Sequence, residues 1–132
     1  MSGSISIPLA GATLIALFAP ATHAATPADL QASYSAVARA SANPERGQQL
    51  FTSRHGGEWS CSSCHGAVPT QAGKHASTGK PIAPLAPAFN PERFVDTAKA
   101  EKWFRRNCND VMGRECSPAE KADVIGWLRT LK

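Results

Sequence analysis

Cys61-Ser62-Ser63-Cys64-His65 is the stretch on which the reading of this chain turns. Two thiols three residues apart, followed at once by an imidazole, have the spacing of a c-type haem attachment site. Each cysteine sulfur can add across one haem vinyl group. The short spacer keeps both on one edge of the porphyrin, where His65 reaches the iron from one face. Two other chemistries use paired thiols. A redox-active dithiol expects a βαβ context that the surrounding sequence does not supply, and a zinc site needs further Cys or His ligands at regular spacing. One covalent haem c is therefore the expected cofactor.

The residues ahead of the motif divide at Ala24. An apolar run from Ile5 to Ala21 is short and interrupted by Gly and Pro, and it ends in Thr22-His23-Ala24-Ala25, small residues of the kind a signal peptidase accepts. Residues 1–24 read as an export signal and 25–132 as one cytochrome-sized domain of 108 residues. The run has no Lys or Arg before it, so an uncleaved anchor stays open beside cleavage. All fourteen Lys and Arg and all ten Asp and Glu follow Ala24, and the formal charge is +4. Two haem propionates would offset part of that. A mildly basic protein of this size suits the acidic face of a redox partner, acting as a monomer; no nucleic-acid motif is present.

Export to an oxidising compartment, the periplasm, also bears on the remaining thiols. With Cys61 and Cys64 on the haem, Cys108 and Cys116 are left as a pair, and a disulfide is expected; two free buried thiols are the other possibility. A bridge closing so short a loop contributes on the order of 2–3 kcal/mol in the chain-entropy model.

Helix signals recur along the chain. Thr26-Pro27-Ala28-Asp29 supplies an N-cap, a Pro at the first helical position and an acid at N3, with Leu30, Tyr34 and Val37 at helical spacing. That helix is expected to end near Asn43-Pro44, where a second start signal carries Gly47, Leu50 and Phe51 into the next helix. From Gly66 to Pro91 five prolines and no strand period predict irregular coil around the haem, with a carbonyl near Pro84 available to the Nδ1–H of His65 and with Ile82, Leu85 and Phe89 as packing surface. His55 and His75 read as surface histidines. A helix is expected from about Asp96 past Phe104. Ser117-Pro118-Ala119-Glu120 is a capping box opening a last helix with Val124, Ile125, Leu128 and Leu131 on one face and Trp127 set to meet the Gly47/Phe51 helix.

This arrangement resembles the class I cytochrome c fold, an all-α shell around one covalent haem. A closer resemblance lies in Gly79-Lys80-Pro81-Ile82-Ala83-Pro84-Leu85-Ala86-Pro87, Glu101-Lys102-Trp103, Arg106-Asn107-Cys108-Asn109, Gly113-Arg114-Glu115-Cys116 and Glu120-Lys121-Ala122-Asp123, which are similar to the sphaeroides haem protein family of periplasmic cytochromes c. The resemblance implies that Asn107, immediately before the first Cys of a Cys108–Cys116 disulfide, is the sixth iron ligand. It also implies that Asn107 leaves the iron on reduction so that O2, NO or CO binds, and that a dihaem cytochrome c and a membrane cytochrome b are the redox partners.

Met112 is the competing sixth ligand, as in an ordinary electron carrier. At about 100° per residue from Lys99, the residues Trp103, Asn107, Ala100, Val111, Phe104 and Cys108 fall roughly between 40° and 180°, and Met112 near 220°. Asn107 is thus expected near the middle of an apolar stripe, although an Asn ending the helix at that point fits the periodicity equally. Thioether sulfur holds ferrous iron, whereas an amide oxygen is a hard donor suited to Fe(III), so the two ligands predict different chemistry. With Asn107, Trp103, Phe104 and Val111 would wall the gas pocket. No positioned general acid stands out; an oxygen-, peroxide- or NO-handling reaction and plain electron carriage both remain, and Arg93, Arg105, Arg106 and Arg114 are unranked as partners for a bound oxygen or a propionate. Lys99, Lys102 and Arg106 form a basic face that is either a docking surface or simply solvated.

Overall fold

The computed structural model describes residues 1, 3 and 25–132, and the export-signal reading of residues 1–24 otherwise lies outside the described residues. Among the described residues five helices and one minimal β-pair follow in chain order: α1 (Pro27–Ala38), α2 (Pro44–Thr52), α3 (Cys61–His65), β1 (Gly73–Lys74), β2 (Pro81–Ile82), α4 (Thr97–Met112) and α5 (Pro118–Leu128). The class is all-α, as the sequence predicts. No helix among the described residues is long and apolar enough to cross a membrane.

Each long helix starts where its capping residues say. Thr26 accepts from the Asp29 N–H while the Asp29 carboxylate accepts from the Thr26 N–H, closing a capping box on α1. Asn43 caps α2, Asp96 caps α4, and Ser117 with Glu120 closes a second reciprocal box on α5. The ends are less legible. α1 stops at Ala38, short of the expected Asn43, because Arg39 turns left-handed at φ 52° and its N–H closes on the carbonyls of Ala36 and Ser35. Val37 is 69% exposed, so no burial rewards a further turn. The loop expected to be wholly irregular contains an antiparallel β1–β2 pair, Gly73 opposite Ile82 and Lys74 opposite Pro81, joined through a turn in which Gly79 takes φ 69°. Two residues per strand are too few to carry a period-2 signal.

The centre of the fold is α5. Every residue from Lys121 to Leu128 is buried, so the one-sided face expected from Val124, Ile125 and Leu128 is enclosed on all sides; Leu131 lies beyond the helix end, half-buried against the same cluster. On one side Ile125 and Ala122 pack with Leu30 and Tyr34 of α1. On the other, Val124, Trp127 and Leu128 pack with Phe51 of α2, the Phe51 and Trp127 rings standing 5.0 Å apart. Gly47 makes the α2–α5 crossing possible: a Cβ there would overlap the backbone carbonyl of Asp123. The Asp123 side chain then accepts from the Asn43 N–H at 2.6 Å and from Arg46 Nε and Nη2 at 2.8 and 3.0 Å. A 4%-exposed carboxylate is stable there because its oxygens are occupied by donors.

Two expected outcomes test this core. Gly47→Ala forces apart two helix backbones that have no flexible side chain to give way, so a loss of about 1–3 kcal/mol is expected in urea unfolding, with the secondary structure retained by circular dichroism. The second concerns acid. Arg114, at 2.7 and 2.8 Å, holds the Glu120 carboxyl down at about 2, against 4.5 without partners. A lowered carboxylate pKa stabilises the fold above the unfolded value and is lost as pH falls through the folded one. The melting temperature is therefore expected to fall between about pH 5 and pH 2, and Glu120→Gln to flatten part of that fall.

Candidate haem site

α3 is one turn of helix, and it carries the whole attachment motif. Ser60 begins it: its N–H donates to Ser63 Oγ at 2.9 Å and its buried hydroxyl contacts the hydroxyls of Ser62 and Ser63. The two Ser residues of the spacer thus do local work, holding the turn that puts Cys61, Cys64 and His65 on successive parts of its surface. Gly66 at φ 79° ends it. From behind, β1 presses on the motif. A Cβ on Gly73 would overlap the Cys64 carbonyl, and the Ala76 N–H donates to Cys64 Sγ at 3.2 Å. Gly79 in a Pro-rich stretch was a turn signal; the approach of Gly73 to Cys64 across nine positions left none.

His65 rests against the core. Its ring lies 6.0 Å from Phe51, and around the cluster to which Phe51 belongs lie half-buried Cys61, Leu85, Phe94 and Phe104. Burial, aided by the positive charge of Arg93, pushes the His65 pKa down to about 4. The imidazole is therefore neutral at ordinary pH and keeps a lone pair for a metal. Burial raises the Cys61 thiol to about 11. Of the carbonyls near Pro84, a stretch expected to offer one to His65, that of Pro84 itself accepts from Asn90 Nδ2 at 3.1 Å and Arg93 Nε at 2.9 Å, which uses both of its lone pairs. Neither of the other expected histidines is loose: His55 Nε2 donates to the Leu50 carbonyl at 2.8 Å, and His75 Nδ1 lies 3.3 Å from the Thr78 N–H.

α4 carries the remaining candidates. Ala100 and Cys108 are buried, and Phe104 packs edge-on against Tyr34 at 6.0 Å and near Phe94 at 6.2 Å, so the buried ridge is centred on Ala100, Phe104 and Cys108. Asn107, expected near the middle of the apolar stripe, lies toward its flank and is half-buried. The helix does not end at Asn107; it continues to Met112 and is capped by Gly113 at φ 67°. The Asn107 amide makes no side-chain hydrogen bond among the described residues, whereas Asn109 uses its own amide on the Arg105 carbonyl.

Cys108 and Cys116 are joined as a disulfide, their Cα atoms 5.6 Å apart. Met112 Sδ lies 3.7 Å from Cys116 Sγ, a van der Waals contact, since a bridged sulfur has no proton to donate. Of the three residues expected to line a gas pocket, Phe104 turns into the core, Val111 is half-buried with its carbonyl toward Gly57, and Trp103 is 42% exposed between Lys102 and Arg106. Trp103 and Phe104 are neighbours on the helix and point about 100° apart, Phe104 inward and Trp103 toward solvent.

Two free cysteines on one helical turn followed by a neutral, half-buried imidazole, with apolar side chains clustered beside it, form a donor set that fits haem c. Among the described residues no three His, Cys, Asp or Glu side chains converge as a closed zinc site requires.

Comparison with known proteins agrees. Residues 37–128 match the family described as "Domain of unknown function (DUF1924)". The cytochrome c-type protein SHP of Cereibacter sphaeroides is 53% identical over 107 residues, covering 78% of this chain and 82% of that one. A solved structure of oxidised SHP, an oxygen-binding cytochrome c, superposes with a TM-score of 0.75 at 52% identity, covering 80% of this chain and 96% of the other. The solution structure of cytochrome c″ from Methylophilus methylotrophus, which addresses the structural basis of haem-ligand detachment, gives 0.70 at 37% identity, with 79% and 92% covered. This chain belongs to the sphaeroides haem protein family, as a monohaem cytochrome c of all-α fold whose one haem c takes the Cys61–His65 motif as its attachment site.

Proposed function

We propose that this protein is a periplasmic cytochrome c in which His65 and Asn107 ligate ferric iron, and in which Asn107 leaves on reduction so that a small diatomic molecule, O2, NO or CO, binds. The haem supplies an iron that accepts one electron and, when ferrous and five-coordinate, takes such molecules. The observation that carries the reading is the Asn107 amide, mid-helix and half-buried, with no hydrogen-bond partner among the described residues. An amide with no protein partner is free to turn its oxygen to a metal, whereas one already bonded within the protein would have to give up that bond first.

His65, neutral and seated on Phe51, stays bound in both oxidation states. Asn107 offers a hard oxygen, which favours Fe(III) and holds Fe(II) poorly. The disulfide one residue later ties α4 to the start of α5 and limits how far Asn107 swings. Phe104 and Val111 border the region it leaves, with Trp103 at its solvent edge. Support also comes from the relatives, one described as oxygen-binding and one studied for ligand detachment. Met112 keeps its sulfur against the disulfide at 3.7 Å, which favours Asn107 over the electron-carrier ligation by Met112. Electrons come from another haem protein, a dihaem cytochrome c or membrane cytochrome b, which meets the basic face of Lys99, Lys102 and Arg106.

Substitution separates the two ligations. Asn107→Ala is expected to give an open ferric site with an altered Soret spectrum, and Met112→Leu to leave the ferric spectrum unchanged; wild-type protein is expected to shift its Soret band with CO only after reduction. An unchanged ferric spectrum in Asn107→Ala, together with a changed one in Met112→Leu and no CO shift, assigns the sixth position to Met112 and a simple electron carrier.

A further inference from the structure

The cations of the fold are not equally provided for. Arg46 pairs with Asp123, Arg105 with Glu115, Arg106 with Asp110 and Arg114 with Glu120, all between 2.7 and 3.9 Å. Arg93 differs from these four. It is half-buried, enough that desolvation lowers its pKa, and no carboxylate meets it among the described residues. Its Nε donates to the Pro84 carbonyl at 2.9 Å and its Nη2 to the Ala83 carbonyl at 2.8 Å; Nη1 makes no hydrogen bond among the described residues. Two loop carbonyls fix the plane of the guanidinium but supply only partial negative charge. A partly desolvated guanidinium is ordinarily matched by a full anion.

The surroundings indicate which anion. Leu85 and Phe94, next in the chain to Pro84 and to Arg93 itself, pack in the same cluster as Cys61 around the Phe51 ring that meets His65, so the guanidinium is held beside the attachment motif. Haem c brings two carboxylates of its own. Arginine is the side chain best shaped for them, since its fork donates several parallel N–H groups to a planar acceptor. The fork is also held in advance. Asn90 Nδ2 shares the Pro84 carbonyl at 3.1 Å, and the following Phe94 is kept at φ 63°, a strained conformation for a bulky residue, while its ring lies 6.2 Å from Phe104.

From these contacts we infer that Arg93 is the propionate-anchoring residue of this protein: with Nε and Nη2 committed to the 83–84 carbonyls, its remaining N–H edge takes a haem propionate carboxylate. The loop from Ala83 to Phe94 is thereby fastened to the cofactor as well as to itself. The inference rests on the haem c of the family and holds whichever residue fills the sixth position.

The test uses the full holoprotein loaded with haem carrying ¹³C-labelled propionates. Redox-difference infrared spectra identify the propionate carboxylate bands by their isotope shift. Arg93→Gln is expected to move those bands and lower the midpoint potential, because a positive charge near the haem favours the reduced state. Arg93→Lys keeps the charge without the fork and is expected to move the bands less and restore most of the potential; it serves alone if the Gln variant fails to fold. Unchanged propionate bands in the variants overturn the assignment. With unchanged bands, lower unfolding stability alone makes Arg93 a loop clamp, and a shifted C–O stretch in the ferrous CO complex moves it to the gas pocket.

Discussion

Contact between the α2 and α5 backbones at Gly47 and Asp123 is the constraint on which the rest of the molecule depends. Helix axes approach this closely only where a side chain is missing, and Gly47 removes it at the crossing point. The Asp123 carboxylate then fastens the start of α2 through the Asn43 N–H and the Arg46 guanidinium. Phe51, one turn beyond Gly47, is consequently delivered to Trp127 on one side and His65 on the other. The His65 imidazole is thus positioned by a helix crossing, with no hydrogen bond of its own among the described residues.

α4 is held differently. Near its start, Glu101 accepts from the buried Lys121 Nζ at 2.7 Å, and that ammonium also lies over the Tyr34 ring at 5.2 Å and the Phe104 ring at 5.9 Å. The Tyr34 hydroxyl sits beside the Glu101 carboxylate, short of good hydrogen-bond geometry, and burial together with that carboxylate raises its pKa. Near the other end the disulfide joins α4 to Cys116, two residues before α5. Between the two attachments the helix is fastened mainly by the Phe104 ring. Asn107 lies in that span, one residue from the disulfide. Under the proposed ligation, its release is a short local displacement and not a movement of the whole helix.

The charge pattern separates two tasks. Outward from α4, Lys99, Lys102, Arg105 and Arg106 are exposed, with Trp103 stacked between Lys102 and Arg106 at 6.0 and 5.7 Å. Such a surface is suited to transient contact with an acidic partner, where charge acts on the association rate, and through it on salt dependence, more than on affinity. Arg93 is turned inward instead, to carbonyls 83 and 84. Side chains of one charge type a few residues apart are therefore provided for differently, some open to solvent and one fixed by the loop.

By itself the sequence determined what local chemistry can determine. Cys61, Cys64 and His65 specify the cofactor because vinyl addition and iron ligation need only those groups at that spacing. Thr26, Asn43, Asp96 and Ser117 specify helix starts because a cap bonds to N–H groups within three residues. Gly47 and Phe51 one turn apart announced the crossing with the Trp127 helix. What depends on partners far away in the chain was decided only by the tertiary structure. The close approach of α2 and α5 and the pressing of Gly73 on Cys64 are of this kind, while the end of α1 at Ala38, the capture of the Pro84 carbonyl by Arg93 and Asn90 and the seating of Met112 against Cys116 are set within irregular turns that carry no periodic signal. Periodicity put Asn107 on the inner side of α4, but the packing of Phe104 fixed the helix rotation and left Asn107 at the flank, since an amide cannot compete with an aromatic ring for the centre of a hydrophobic face.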